Sequence, residues 1–167
     1  MSVSPARILV IDDEVMNREM LEAHLELAGY EVLLAHSGEQ ALKQAATRPP
    51  DLILMDARMP GMDGYETCRR FKASDTTRHI PIILISGLTG LENIRQALDA
   101  GVDDLMTKPV NSLLLLKRIK TLLQLKALQE SLQARDLQLK VALKRHLNDQ
   151  TTQAILEELQ TSRPIQS

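Results

Sequence analysis

Leu52-Ile53-Leu54-Met55-Asp56 is a run of four large apolar residues ended by a carboxylate, and its form decides the fold. Four residues are too few for a helix, and an unbroken apolar run, unlike an alternating one, predicts a strand covered on both faces. Working outward, short runs rich in Ile, Leu and Val recur at 8–11, 31–35, 82–85 and 104–106, so five strands are predicted. Helix-like stretches fill the gaps. Residues 14–28 place Met16, Met20, Leu21, His24 and Leu27 or Ala28 near one helical face, with Gly29 at the stop. Ser37 is an N-cap for 37–47, which ends before Pro49 and Pro50; further helices are predicted at 63–71, at 91–100 before Gly101, and from 111 onward. Strand and helix alternating five times predict an α/β fold, an open parallel sheet with helices on both faces.

Composition narrows the function. The chain has 167 residues, 44% hydrophobic and 25% charged, enough for one domain with a core plus an appendage. With no Trp, one Phe, two Tyr and a net charge of −2, it has neither the stacking platform nor the basic field of a nucleic-acid binder, so no direct nucleic-acid partner is expected. The single cysteine, Cys68, reads as a small apolar helix residue. His24, His36, His79 and His146 show no metal-ligand spacing. No stretch approaches the roughly 20 apolar residues of a membrane span, and the first residues lack a secretory pattern, so a cytoplasmic address is expected.

In an open parallel sheet, ligands gather beyond the carboxyl ends of the strands. The residues at those ends are Asp12, Asp13 and Glu14 after the first strand, Asp56 after the third, Ser86 after the fourth, and Lys108-Pro109 after the fifth. Converging carboxylates repel one another, and a hard divalent cation such as Mg²⁺ removes that penalty. Lys108 supplies a positive charge and Ser86 a hydroxyl donor, which suit phosphoryl oxygens; Asp56 is then the nucleophile. Two of these acids have simpler readings: Asp13 as an N-cap of the first helix and Asp63 as an N-cap of the third, the latter preferred.

Taken together, Ile8-Leu9-Val10-Ile11-Asp12-Asp13-Glu14, Leu54-Met55-Asp56-Ala57-Arg58-Met59-Pro60-Gly61-Met62-Asp63-Gly64, Ile85-Ser86-Gly87 and Thr107-Lys108-Pro109 resemble the response-regulator receiver family over roughly the first 120 residues. The resemblance implies a flavodoxin-like, doubly wound sheet in the order 2-1-3-4-5. It implies Asp56 as phosphoacceptor and Mg²⁺, or Mn²⁺, ligated by Asp13 and Asp56, with Asp12 acting through water and the Arg58 carbonyl completing the set. It makes Ser86 the switch hydroxyl and Lys108 the partner of the phosphorylated aspartate, before a cis peptide to Pro109. A sensor histidine kinase or phosphotransfer protein is the implied donor. The chain departs from the family at Leu105, where an aromatic switch residue is usual, and Arg58 and Leu88 stand where they would tune water access to an acyl phosphate.

The domain reading is a receiver over 1–120 and a helical extension over 121–167. Residues 113–147 lack Gly and Pro, and Leu125, Leu128, Leu132 and Leu139 suggest a partial coiled-coil seam, so a homodimer is expected, alongside the 91–120 face. A break is predicted at Asn148-Asp149, then a short helix over 152–159 and a frayed end over 162–167. The extension is either a dimerising element or the signalling helix of a longer regulator whose effector lies outside this chain. A constitutive scaffold and a metal-dependent phosphatase are the competing functional classes; against the phosphatase, the chain shows no substrate cap.

Overall fold

In the computed structural model, which describes residues 4–161, the five apolar runs are strands: β1 (Arg7–Ile11), β2 (Glu31–Ala35), β3 (Leu52–Asp56), β4 (Ile82–Ser86) and β5 (Asp104–Thr107). All pair in parallel in the order β2-β1-β3-β4-β5. The two-residue period of a strand divides each run between two cores. Leu9, Ile11, Ile53, Met55, Ile82 and Leu84 face Ala41, Ala45, Cys68, Phe71 and Ala97, whereas Ile8, Val10, Leu52, Leu54, Ile83 and Ile85 face Leu21, Leu25, Leu115 and Ile119. One face is thus covered by α2 (Gly38–Thr47), α3 (Gly64–Ala73) and α4 (Leu91–Asp99), the other by α1 (Val15–Leu27) and the start of α5 (Ser112–Thr161). The fold is the flavodoxin-like one expected, and it reverses strand order between β1 and β3, which opens a crevice at their carboxyl ends.

Local chemistry explains most helix ends. The Ser37 hydroxyl accepts from the Gln40 N–H at 3.2 Å and the Asp63 carboxylate from the Glu66 N–H at 2.8 Å, so both capping expectations hold. Asp13 is no cap: α1 begins after Glu14 with no side-chain cap bond. Gly101, at φ +79°, closes α4 in the left-handed region. Cys68 is fully buried, with its Sγ 3.2 Å from the Ala100 carbonyl, and burial pushes its thiol up to about 11.

Two helix expectations need correction. Of the face expected for α1 only Leu21 is buried, together with Leu25, while Met16, Met20, Leu27 and His24 are exposed. Successive helix positions lie about 100° apart, so a stripe chosen one residue out points past the sheet. The break at Asn148-Asp149 is also absent: both residues lie inside α5, and Thr151 and Thr152 donate back to the carbonyls of Leu147 and Asn148 at 2.8 Å. Asn and Asp cost a helix interior under about 1 kcal/mol each, too little to stop it without Gly or Pro. The frayed end expected at 162–167 lies outside the described residues.

Contacts divide the chain into two compact units between Lys126 and Ala127. The first holds the sheet and its helices. The second is the remainder of α5, along which Leu128, Leu132, Leu139 and Leu147 are exposed. Among the described residues, no helix is long and apolar enough to cross a membrane.

Candidate functional site

The carboxyl edge of the sheet collects the residues that the strand ends indicated. Asp12 follows β1, Asp56 ends β3, Ser86 ends β4, and Lys108 follows β5. Asp12, Asp13 and Asp56 each present a carboxylate oxygen within 4.8 Å of the others, Asp13 exposed and the other two buried. Burial pushes the Asp12 carboxyl above its usual value; the Glu14 N–H opposes this, and the charge of Asp56 adds to it. The Asp12 carboxylate is oriented by the Glu14 N–H at 2.8 Å and the Asn17 side-chain amide at 3.1 Å, while the Arg18 guanidinium donates to the Asp12 carbonyl at 2.6 Å.

The counterweight to this negative charge is Lys108, whose Nζ lies 3.1 Å from Asp56 Oδ1. Its own N–H donates to the Ser86 carbonyl at 2.9 Å, which ties β5 to β4, and the Lys108-Pro109 peptide is cis as expected. The Arg58 N–H approaches the same Asp56 oxygen at 3.4 Å. One ammonium for three carboxylates leaves the cluster short of positive charge, and its donors are all oxygen. Such a set fits Mg²⁺, a hard ion that takes a few carboxylates and keeps several waters.

Glycine shapes the wall behind Asp56. A Cβ placed on Gly64 would sit 2.3 Å from the Asp56 carbonyl oxygen and 2.9 Å from Ala57 Cα, so the first turn of α3 reaches the end of β3 only without a side chain. Arg58 and Leu88 line a common cleft of about 440 Å³, and Pro109 lines another of about 230 Å³ with Asp12 and Lys108. Leu105 is half-buried against the core cluster containing Ala97.

Residues that the sequence reading passed over stand behind Ser86. Its fully buried hydroxyl accepts from the Leu88 N–H at 3.1 Å and from the Asn93 side-chain amide at 3.3 Å. The amide also donates to the Leu88 carbonyl at 2.6 Å, and its oxygen accepts from the Tyr65 hydroxyl. Burial raises the Tyr65 phenol, with Ser86 pulling the other way, so Tyr65 stays a neutral donor. Asn93 and Ala97 are the two buried positions of α4, spaced i and i+4. A polar residue on an inward stripe was the available signal.

This geometry meets independent comparison. The family model for the response regulator receiver domain matches residues 8–120. The chain is 48% identical over 113 residues to the response regulator PleD of Caulobacter vibrioides, a match covering 68% of this chain and 25% of that protein. It is 43% identical over 111 residues to the phosphate regulon transcriptional regulatory protein PhoB of Pseudomonas aeruginosa, covering 66% and 48%. Among solved structures, a CheY-like receiver domain protein of Methanospirillum hungatei superposes with a TM-score of 0.71 at 31% identity, covering 75% of this chain and 99% of that one. The receiver domain of a Syntrophus aciditrophicus histidine kinase gives 0.68 at 35%, covering 71% and 90%. An α/β signalling domain with an acidic pocket at its strand ends is the class so defined. The chain belongs to the response regulator receiver domain family of two-component systems. It spans from a quarter to about half of the length of these curated relatives.

Proposed function

We propose that this chain is a phosphorylation switch whose phosphoacceptor is Asp56. The observation that carries the reading is the Asp56–Lys108 pair at 3.1 Å, set inside the carboxylate cluster of Asp12, Asp13 and Asp56. An Asp56 oxygen attacks the phosphorus of a phosphohistidine on a sensor kinase or phosphotransfer protein, the P–N bond breaks, and an acyl phosphate forms. Asp13, Asp56 and the Arg58 carbonyl would hold Mg²⁺, with Asp12 acting through water, and the ion would supply charge neutralisation for the transferring group. Lys108 pairs with a phosphoryl oxygen, and Ser86 donates its hydroxyl to another. Such a donor sets this chemistry in the cytoplasm.

Residues 1–120 carry this switch, and 121–167 carry its output or assembly. A second copy of the chain is the favoured partner of the extension, because Leu128, Leu132 and Leu139 form an exposed apolar stripe at helical spacing. The partial coverage of the relatives also suits a regulator whose effector lies beyond residue 167.

Incubation with Mg²⁺ and acetyl phosphate, read by intact mass, tests the phosphoacceptor directly. One phosphoryl adduct is expected in the unsubstituted chain and none in Asp56→Asn. No adduct in the unsubstituted chain would favour a constitutive scaffold, and turnover of added phosphoesters would favour an enzyme.

A further inference from the structure

The Ser86 hydroxyl is fully committed before any phosphoryl group arrives. It accepts from Leu88 and Asn93, and the acceptor within reach of its own hydrogen is Asn93 Oδ1, 3.5 Å from Ser86 Oγ. Asn93 is itself held at both ends of its amide, by the Leu88 carbonyl and by the Tyr65 hydroxyl. Ser86, Asn93 and Tyr65 are all buried, so none of these bonds is freely exchanged for water. A hydroxyl has one hydrogen to give, so Ser86 donates either to Asn93 or to a phosphoryl oxygen on Asp56.

We propose that Asn93 and Tyr65 are positioning residues that set the resting state of this switch. The Asn93 amide clamps Ser86 together with the loop between β4 and α4, and the Tyr65 hydroxyl fixes which way that amide faces. Phosphorylation draws Ser86 out of the clamp, leaves Asn93 short of a partner, and so loosens the first turn of α4 from within. The path is polar and runs from β4 into α4 and α3. It does not pass through β5, where Leu105 has no ring to rotate and no group to hydrogen-bond. This inference rests on the phosphoacceptor reading of Asp56.

The test uses the full chain with Mg²⁺ and beryllofluoride, a mimic of the phosphoryl group, titrated by calorimetry, with thermal unfolding as the check on folding. Tyr65→Phe and Asn93→Ala each remove part of the resting clamp, so each is expected to tighten beryllofluoride binding by about 2- to 10-fold, the equivalent of one net hydrogen bond. In a Ser86→Ala background the same substitutions are expected to have no effect, since no hydroxyl remains to be released. A merely structural role for the two residues would not produce that dependence on Ser86. Unchanged or weaker binding in both variants, or tightening that persists without Ser86, overturns the proposal. If the unsubstituted chain binds beryllofluoride no better than Asp56→Asn does, the phosphoacceptor reading itself fails and takes this inference with it, a result visible before any clamp variant is made.

Discussion

At Gly64 a single hydrogen atom separates a formed site from an obstructed one. With a Cβ due to land 2.3 Å from the Asp56 carbonyl oxygen, Gly64→Ala forces α3 away from β3. Overpacking against backbone is expected to lower stability by about 1–3 kcal/mol, read as a shifted urea midpoint. Because the displaced strand end carries Asp56, Mg²⁺ affinity should weaken in the same variant; a stability loss with unchanged Mg²⁺ affinity would separate the two. Arg58 and Leu88, which share one cleft, are expected to bear on a different property. Leu88 cannot orient water by hydrogen bonding, whereas the Arg58 side chain is exposed and charged. Altering either is expected to change the lifetime of the acyl phosphate by severalfold without changing stability by more than about 0.5 kcal/mol. Equal lifetimes in Arg58→Ala, Leu88→Ala and the unsubstituted chain would remove both from that role. The strand-end acids, Ser86 and Lys108 were legible because an open parallel sheet has one place to put a ligand. Asn93 carried only a weak signal, its i, i+4 spacing to Ala97, and Tyr65 carried none, because their meeting depends on how α3 and α4 sit on the sheet, which neither helix's own sequence states.

Elements were legible where their signal was redundant. Leu52-Ile53-Leu54-Met55 is apolar on both faces, so no choice of register could misplace it, and all five strands were found. In α1 the apolar residues spread beyond one narrow stripe, so the expected face took in Met16 and Met20 with Leu21 and missed Leu25, and only packing against Ile8 and Val10 of β1 settles which are buried. Further along, α5 is anchored at the amino end of β3, the end away from the acidic pocket. There Lys126 Nζ lies 3.1 Å from Asp51, whose other oxygen accepts from the Arg7 N–H at 2.8 Å. Burial raises the Asp51 carboxyl, but these two donors more than offset it, and its pKa lies below the ordinary 3.8. A depressed carboxyl contributes stability that is fully present above its unfolded value and is lost as pH falls through its folded value. Stability should therefore fall on acidification from just above 3.8 downward, and Asp51→Asn should flatten that part of the profile; an unchanged slope in chemical denaturation at successive pH values would refute the assignment.

For the molecule as a whole, assembly is the open variable. The extension exposes Leu132 and Leu139, and a monomer gains nothing from keeping them there. Leu132→Asp combined with Leu139→Asp is expected to convert a dimer to a monomer in sedimentation while leaving acyl-phosphate formation at Asp56 intact. A dimer that survives both changes would assign association to another face, and the exposed Leu91 and Leu98 of α4 are then the next to alter. Cys68 gives the means to follow such experiments. As the chain's only thiol, sealed in the core and held protonated by burial, it meets an added thiol reagent only when the domain opens. Its modification rate is a clock for opening, native to the sequence, against which each substituted chain can be timed without attaching a probe.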